Sequence, residues 1–256
     1  MDKPYPTLDR HSRPPQVRSI DIARPFVWLR MGWADMRENL PASLSYGLLF
    51  TGVGYFILAY ASDLPYLFNA ALSGLLLVGP LTAAGLYEIS RRRECGDSAT
   101  FAESLRGLRG HRDRLLYFGA FLAFVLLGWE RLSAILFATL HVERATGAGD
   151  FLREVMLSGQ YTVFIASYLA VGGVIAAVVF ALSAASLPML VDRDTDVVVA
   201  MATSLRAVGF NLGAMAVWGA LIVALIAIGF ATLAGMIVLL PLLGHASWHA
   251  YKDLIE

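Results

Sequence analysis

From Ala207 to Tyr251 the chain carries no Asp, Glu, Lys or Arg. That is about 45 residues, or about 67 Å as one helix, more than twice the roughly 30 Å hydrocarbon core of a bilayer. A stretch this apolar must leave water and satisfy its backbone groups within itself, so it is helical and it folds back. The segment 229–235 holds the expected turn. Three more regions carry uncharged runs. Runs 42–62 and 66–87 flank a turn at Asp63-Leu64-Pro65, run 115–140 is interrupted by Glu130-Arg131, and run 158–191 exceeds one straight crossing. The sequence thus predicts an all-α, polytopic membrane protein with six transmembrane helices.

Composition agrees. Hydrophobic residues make up 57% of the chain and charged ones 16%, against about a quarter in soluble domains. The mean hydropathy is +0.63. One soluble core of 256 residues could not hide that much apolar surface. Lys+Arg and Asp+Glu balance at 20 each, so nothing basic points to nucleic acid. The single cysteine, Cys95, excludes an internal disulfide framework and a Cys-only metal cage.

Charge placement gives the orientation. Of the 20 Lys and Arg, 17 fall in the N-terminal segment, the second and fourth connections and the C-terminus. Arg131, Arg144 and Arg153 fall on the other side. By the positive-inside rule both termini are cytoplasmic. Residues 1–20, rich in Pro, Arg and polar side chains, read as a disordered cytoplasmic tail, and 21–256 as one six-helix membrane domain.

A short amphipathic segment containing Leu-Arg precedes each odd-numbered span: Leu29-Arg30, Leu105-Arg106 and Leu205-Arg206. Thr100 and Glu103 have capping-box spacing, so a helix should begin there, with Phe101, Leu105 and Leu108 on one face. Arg106 and Arg109 turn away from that face, toward anionic headgroups. Each even-numbered span has a proline toward its cytoplasmic end: Pro80, Pro188 and Pro241. The pattern reads as three copies of an interfacial helix followed by a helical hairpin, at 22–93, 97–193 and 194–256.

Few residues offer chemistry. His245 and His249 are four apart and share a helix face, a spacing that suits a metal if Glu88, Cys95 or His111 adds a ligand. They lie beside Trp248, Tyr251 and Lys252, the side chains that anchor helices at an interface, and anchoring or partner contact is the preferred reading. Arg91-Arg92-Arg93 reads as a lipid- or partner-contact cluster, with Glu88 spaced to pair with Arg91 or Arg92. Glu130 and Arg131 are the charges inside the spans and point about 100° apart, so they cannot neutralise each other face to face; Arg131 can snorkel outward or pair with Asp63 or another subunit. Asp192, Arg193, Asp194 and Asp196 read as a solvated helix cap.

Several separated motifs resemble one bacterial family of uncharacterised, predicted integral membrane proteins. These are Ile20-Asp21-Ile22-Ala23-Arg24-Pro25-Phe26 with its continuation Trp28-Leu29-Arg30, Gly79-Pro80-Leu81, Gly85-Leu86-Tyr87-Glu88, Ser90-Arg91-Arg92, the segment from Ser186-Leu187-Pro188-Met189 to Asp196 and that from Gly244-His245 to Tyr251. The resemblance implies a prokaryotic inner membrane. Some members have been labelled cytochrome c oxidase subunits. A haem-copper catalytic subunit needs about six membrane histidines, and this chain offers His245 and His249.

The expected function is therefore non-enzymatic. An accessory or assembly subunit contacting a respiratory or other energy-conserving complex is the leading reading, with the lipid bilayer as solvent and no cofactor. A small-solute transporter or channel, with Arg131 or Asn69 at its outer mouth, is the alternative. A haem- or metal-binding redox helper using His245 and His249 is the third.

Overall fold

Local signals set where helices start and stop. The computed structural model describes residues 15–61, 82–139, 161–232 and 234–256. Helix α1 (Arg24–Glu38) opens with Pro25 in its first turn, where a missing N–H costs nothing. It is followed by α2 (Leu40–Ala61). Helix α3 covers 82–94 and stops at Gly96, whose φ of 84° suits a residue without Cβ. Helix α4 (Phe101–Gly107) begins with the capping box read from the sequence: Thr100 caps the Glu103 amide and Glu103 returns to Thr100. A 3₁₀ turn (Leu108–His111) leads into α5 (Arg112–Thr139).

The run at 158–191 is not one helix. It divides into α6 (Thr162–Ser183) and α7 (Ser186–Asp192). Pro188 has no N–H to offer the preceding turn. The preceding bond of the same turn, Ala185 to Ala181, is also open and Ser204 bridges it, accepting from the Ala185 amide at 3.0 Å and donating to the Ala181 carbonyl at 2.8 Å. Asp196 then caps α8 (Val197–Phe210), accepting from the Val198 amide at 2.7 Å. Helices α9 (Leu212–Thr232) and α10 (Met236–Leu254) form the last hairpin, and the turn lies within 229–235 as expected.

Among the described residues, four helices are long and apolar enough to cross a bilayer: α2, α5, α6 and α9. Helix α10 is not among them, because Lys252, Asp253 and two histidines load its C-terminal half. The turn at 63–65, Asn69, Pro80, Arg144 and Arg153 lie outside the described residues. Short helices α1, α4 and α8 precede spans α2, α5 and α9, in the expected order, but their packing differs. Helix α1 buries Trp28, Gly32, Asp35 and Met36. In α4 the buried side is Ser104, hydrogen-bonded to Tyr46 at 2.7 Å, and Leu105 is exposed rather than sharing the inner face with Phe101.

The core joins α1, α3, α7, α8 and α10 with the lower ends of α5 and α9. Two backbone approaches bring it together. A Cβ on Gly32 would stand 2.6 Å from the Ala246 nitrogen, and on α2 one at Gly47 would overlap the Ile237 carbonyl, so both α1 and α2 cross α10 closely. Trp28 meets Trp218 edge to face with ring centres 5.6 Å apart. Only 6% of the apolar window is buried in α5 and in α6, against 33% in α2. Among the described residues, the α5–α6 pair therefore has little fully buried surface beyond the end that packs into the core.

Of the tail expected over 1–20, residues 1–14 lie outside the described residues, and 16–18 are not free but paired with the C-terminus. Val17 bridges Ile255, the Arg18 amide bonds the Leu254 carbonyl at 2.9 Å, and the Glu256 amide bonds the Gln16 carbonyl at 3.0 Å. Backbone hydrogen bonds of this kind cannot cross a bilayer. Residues 16–18 and 254–256 share one side of the membrane, and the number of crossings between them is even.

Candidate functional site

The amphipathic pattern of α1 places a carboxylate in its buried stripe, and a polar network grows around it. Asp35 is 1% exposed. It accepts from Ser90 Oγ at 2.5 Å, from His249 Nε2 at 2.9 Å and from the Arg93 guanidinium. Arg93 also forks onto Glu38, at 2.5 and 2.6 Å. Burial pushes the Asp35 carboxyl up, but hydrogen bonds from His249 and Ser90 and the two imidazoles nearby outweigh it. The group ionises below its ordinary range.

His245 is fully buried and neither ring nitrogen touches a carboxylate, so the ring is neutral and carries one proton. Ser90 gives its one proton to Asp35, so its oxygen accepts from His245 Nδ1–H at 2.8 Å. Nε2 is then the bare nitrogen, and Ser43 donates to it at 2.8 Å. His245 is neutral and saturated. The chain Ser43–His245–Ser90–Asp35 resembles a nucleophile–base–acid relay, but Ser43, Ser90 and His245 have no solvent-exposed surface. It ties α1, α2, α3 and α10 together.

Two further clusters complete this end of the molecule. Glu88, fully buried, accepts from Arg91 at 2.7 and 2.9 Å and from Arg92 at 2.8 Å, the pairing expected from the spacing. Tyr251 donates to Asp192 at 2.7 Å and accepts from Arg193 at 2.8 Å. Lys252 lies 3.5 Å from both Asp192 and Glu94 and over the Trp248 ring. Trp248 donates to Glu94 at 2.8 Å, and Trp28 donates to Asp253 at 2.6 Å.

The structure redistributes the residues singled out from the sequence. His245, His249, Trp248 and Tyr251 are buried by protein, so reading them as membrane anchors or partner contacts is corrected: burying tryptophan and tyrosine rings leaves them no lipid-facing surface. Arg91, Arg92 and Arg93 are each about a third exposed and largely engaged with Glu88, Glu38 and Asp35. Arg106 and Arg109 remain exposed on α4 and the turn after it. Glu130 and Arg131 are exposed on α5 and, among the described residues, form no ion pair. Cys95 is exposed, and His111 keeps a buried Nδ1 without a partner among the described residues.

Both nitrogens of His245 and Nε2 of His249 are already bonded. Among the described residues no three His, Cys, Asp or Glu side chains are placed to hold a metal ion. Asp35, Ser43 and Asp253 were not singled out from the sequence, and Ser90 entered only as part of the Ser90-Arg91-Arg92 motif. The available signal was the 28-32-35-39 stripe of α1, in which an acidic residue sits among residues destined for the core.

Residues 67–192 match the family described as predicted integral membrane protein, DUF2189. The matched stretch contains Glu88, Ser90, Arg91, Arg92, Arg93 and the capping box, and ends before α8 and α10. No curated protein and no solved structure shows significant similarity to the chain.

Proposed function

We propose that this chain is a non-enzymatic membrane subunit, acting through helix contacts in the bilayer as an accessory or assembly partner of a larger complex. The observation that carries the reading is the contrast between its two ends. The polar end is closed on itself, with its buried charges paired, whereas only 6% of the apolar window of α5 and of α6 is buried by the chain. Val163, Leu169, Val174 and Val178 on α6 are each more than half exposed. The resemblance noted above suggests a respiratory complex as the partner, in a prokaryotic inner membrane.

The reading includes six crossings with both termini cytoplasmic, built as three interfacial-helix and hairpin units. The four apolar helices are joined by the run at 66–87 and by α10, whose apolar half packs against Phe50 and Ile57 of α2. The arginine asymmetry supports the orientation. Reporter fusions after Glu256 and within 95–100 should both be active in the cytoplasm, and periplasmic activity at either site would refute the topology.

The function is tested by photo-crosslinking in native membranes from probes at Leu169 and Val174. A discrete adduct with subunits of one complex, lost when that complex is deleted, is the expected result. Adducts with lipid alone would sink the reading. So would purified chain that by itself moves solute across liposomes, or that carries a haem spectrum.

A further inference from the structure

Helix α5 carries an exposed seam that no other described residue covers. Tyr117, Ala120, Phe124, Leu127, Arg131, Ala134 and Ala138 recur at alternating intervals of three and four residues, and all seven are exposed. Tyr117 is 70% and Phe124 77% accessible. The opposite face holds Leu115, Phe118 and Leu122, packed into the core. A 3.5-residue period is the signature of a helix that supercoils with a like partner. Three alanines on the seam allow backbones to come close, and at Gly128 beside it an added Cβ would meet nothing within 4 Å.

Lipid alone would suit an apolar seam, but the charges argue for protein. Glu130 and Arg131 lie about 27 Å along the helix from Arg112, at the outer part of the span. Both are exposed, adjacent and opposite in sign, and they project about 100° apart. One helix cannot pair them face to face. A two-fold axis parallel to the helix can. If the contact line runs between them, each lies on one flank of its own helix, and the axis carries Glu130 of one copy opposite Arg131 of the other. Both ion pairs form at almost the same height, in surroundings where an unpaired charge is costly.

We propose that a second copy of this chain covers the α5 seam, as a parallel two-fold pair closed by reciprocal Glu130–Arg131 contacts. This does not rest on the proposed function, because a homodimer would form whether or not a larger complex binds.

The test uses the full chain in native membranes with Cys95→Ser as background. Leu127→Cys should give an oxidant-dependent species of twice the mass, containing two differently tagged copies. Val174→Cys on α6 should give several-fold less. Glu130→Arg or Arg131→Glu alone places like charges opposite one another and should cut the crosslinked fraction several-fold. The double exchange Glu130→Arg with Arg131→Glu should restore it, and its unchanged composition and melting temperature guard against simple misfolding. Absence of the Leu127→Cys dimer, a crosslink to a different protein only, or a double exchange that behaves like the singles would each overturn the proposal.

Discussion

At the residue scale, Asp35 decides how the polar end responds to change. It is buried and serves three donors, so removing its charge leaves Arg93 with Glu38 alone and weakens the acceptor that the buried His249 Nε2 depends on. Asp35→Asn should cost about 3–5 kcal/mol and lower the melting temperature of the detergent-solubilised protein by several degrees. Because folding lowers this carboxyl's pKa, its contribution is complete above the unfolded value, about 3.9, and is lost as pH falls through the lower folded value. Melting curves at descending pH should therefore show an acid-sensitive loss below about pH 4 that Asp35→Asn flattens. The two serines differ as well. Ser43→Ala removes one bond to His245, worth about 1 kcal/mol, whereas Ser90→Ala unpairs the buried His245 Nδ1–H and takes from Asp35 Oδ2 one of its two donors, leaving His249, and should cost more in the same melting assay.

At the element scale, close helix crossings set the tolerance to added volume. Gly47→Ala drives a methyl group into the Ile237 carbonyl, a backbone atom that cannot rotate aside, and should destabilise by about 1–3 kcal/mol. Gly52→Ala, one turn further along the same helix, meets nothing within 4 Å and should be neutral or stabilising by up to about 1 kcal/mol. Equal losses at the two positions would refute the crossing. Local elements of this kind were legible in the sequence where a short-range rule governs them. The Thr100–Glu103 box, the Glu88 pairs with Arg91 and Arg92 and the cap at Asp196 all depend on residues within four positions. The break at Ala184–Ala185 was not legible, because the serine that stabilises it comes from another helix nineteen or more residues away. Thr100→Ala should fray α4 at a cost of about 1 kcal/mol, visible as faster amide exchange over 101–107.

At the scale of the whole molecule, the sequence located the apolar segments well and the polar core poorly. Hydropathy counts how oily a segment is and says nothing of which face meets lipid. His245, His249, Trp248 and Tyr251 therefore looked interfacial, although α1, α3 and α7 enclose them. Asp35 was passed over because its partners lie as far off as residue 249, beyond any periodicity. Even parity, by contrast, was reached twice, from arginine placement and from the pairing of residues 16–18 with 254–256.

That pairing has a consequence for how the chain is made. Helix α1 finds its principal neighbour in α10, some two hundred residues later. At roughly 5–20 residues per second a ribosome needs on the order of ten to forty seconds to deliver it. Throughout that interval Asp35 has no His249 to meet, and Trp28 has no Asp253. The earliest helix to emerge is among the last to settle, so a truncated or stalled product should leave its amino-terminal region open to proteases while the middle hairpin is already in the bilayer.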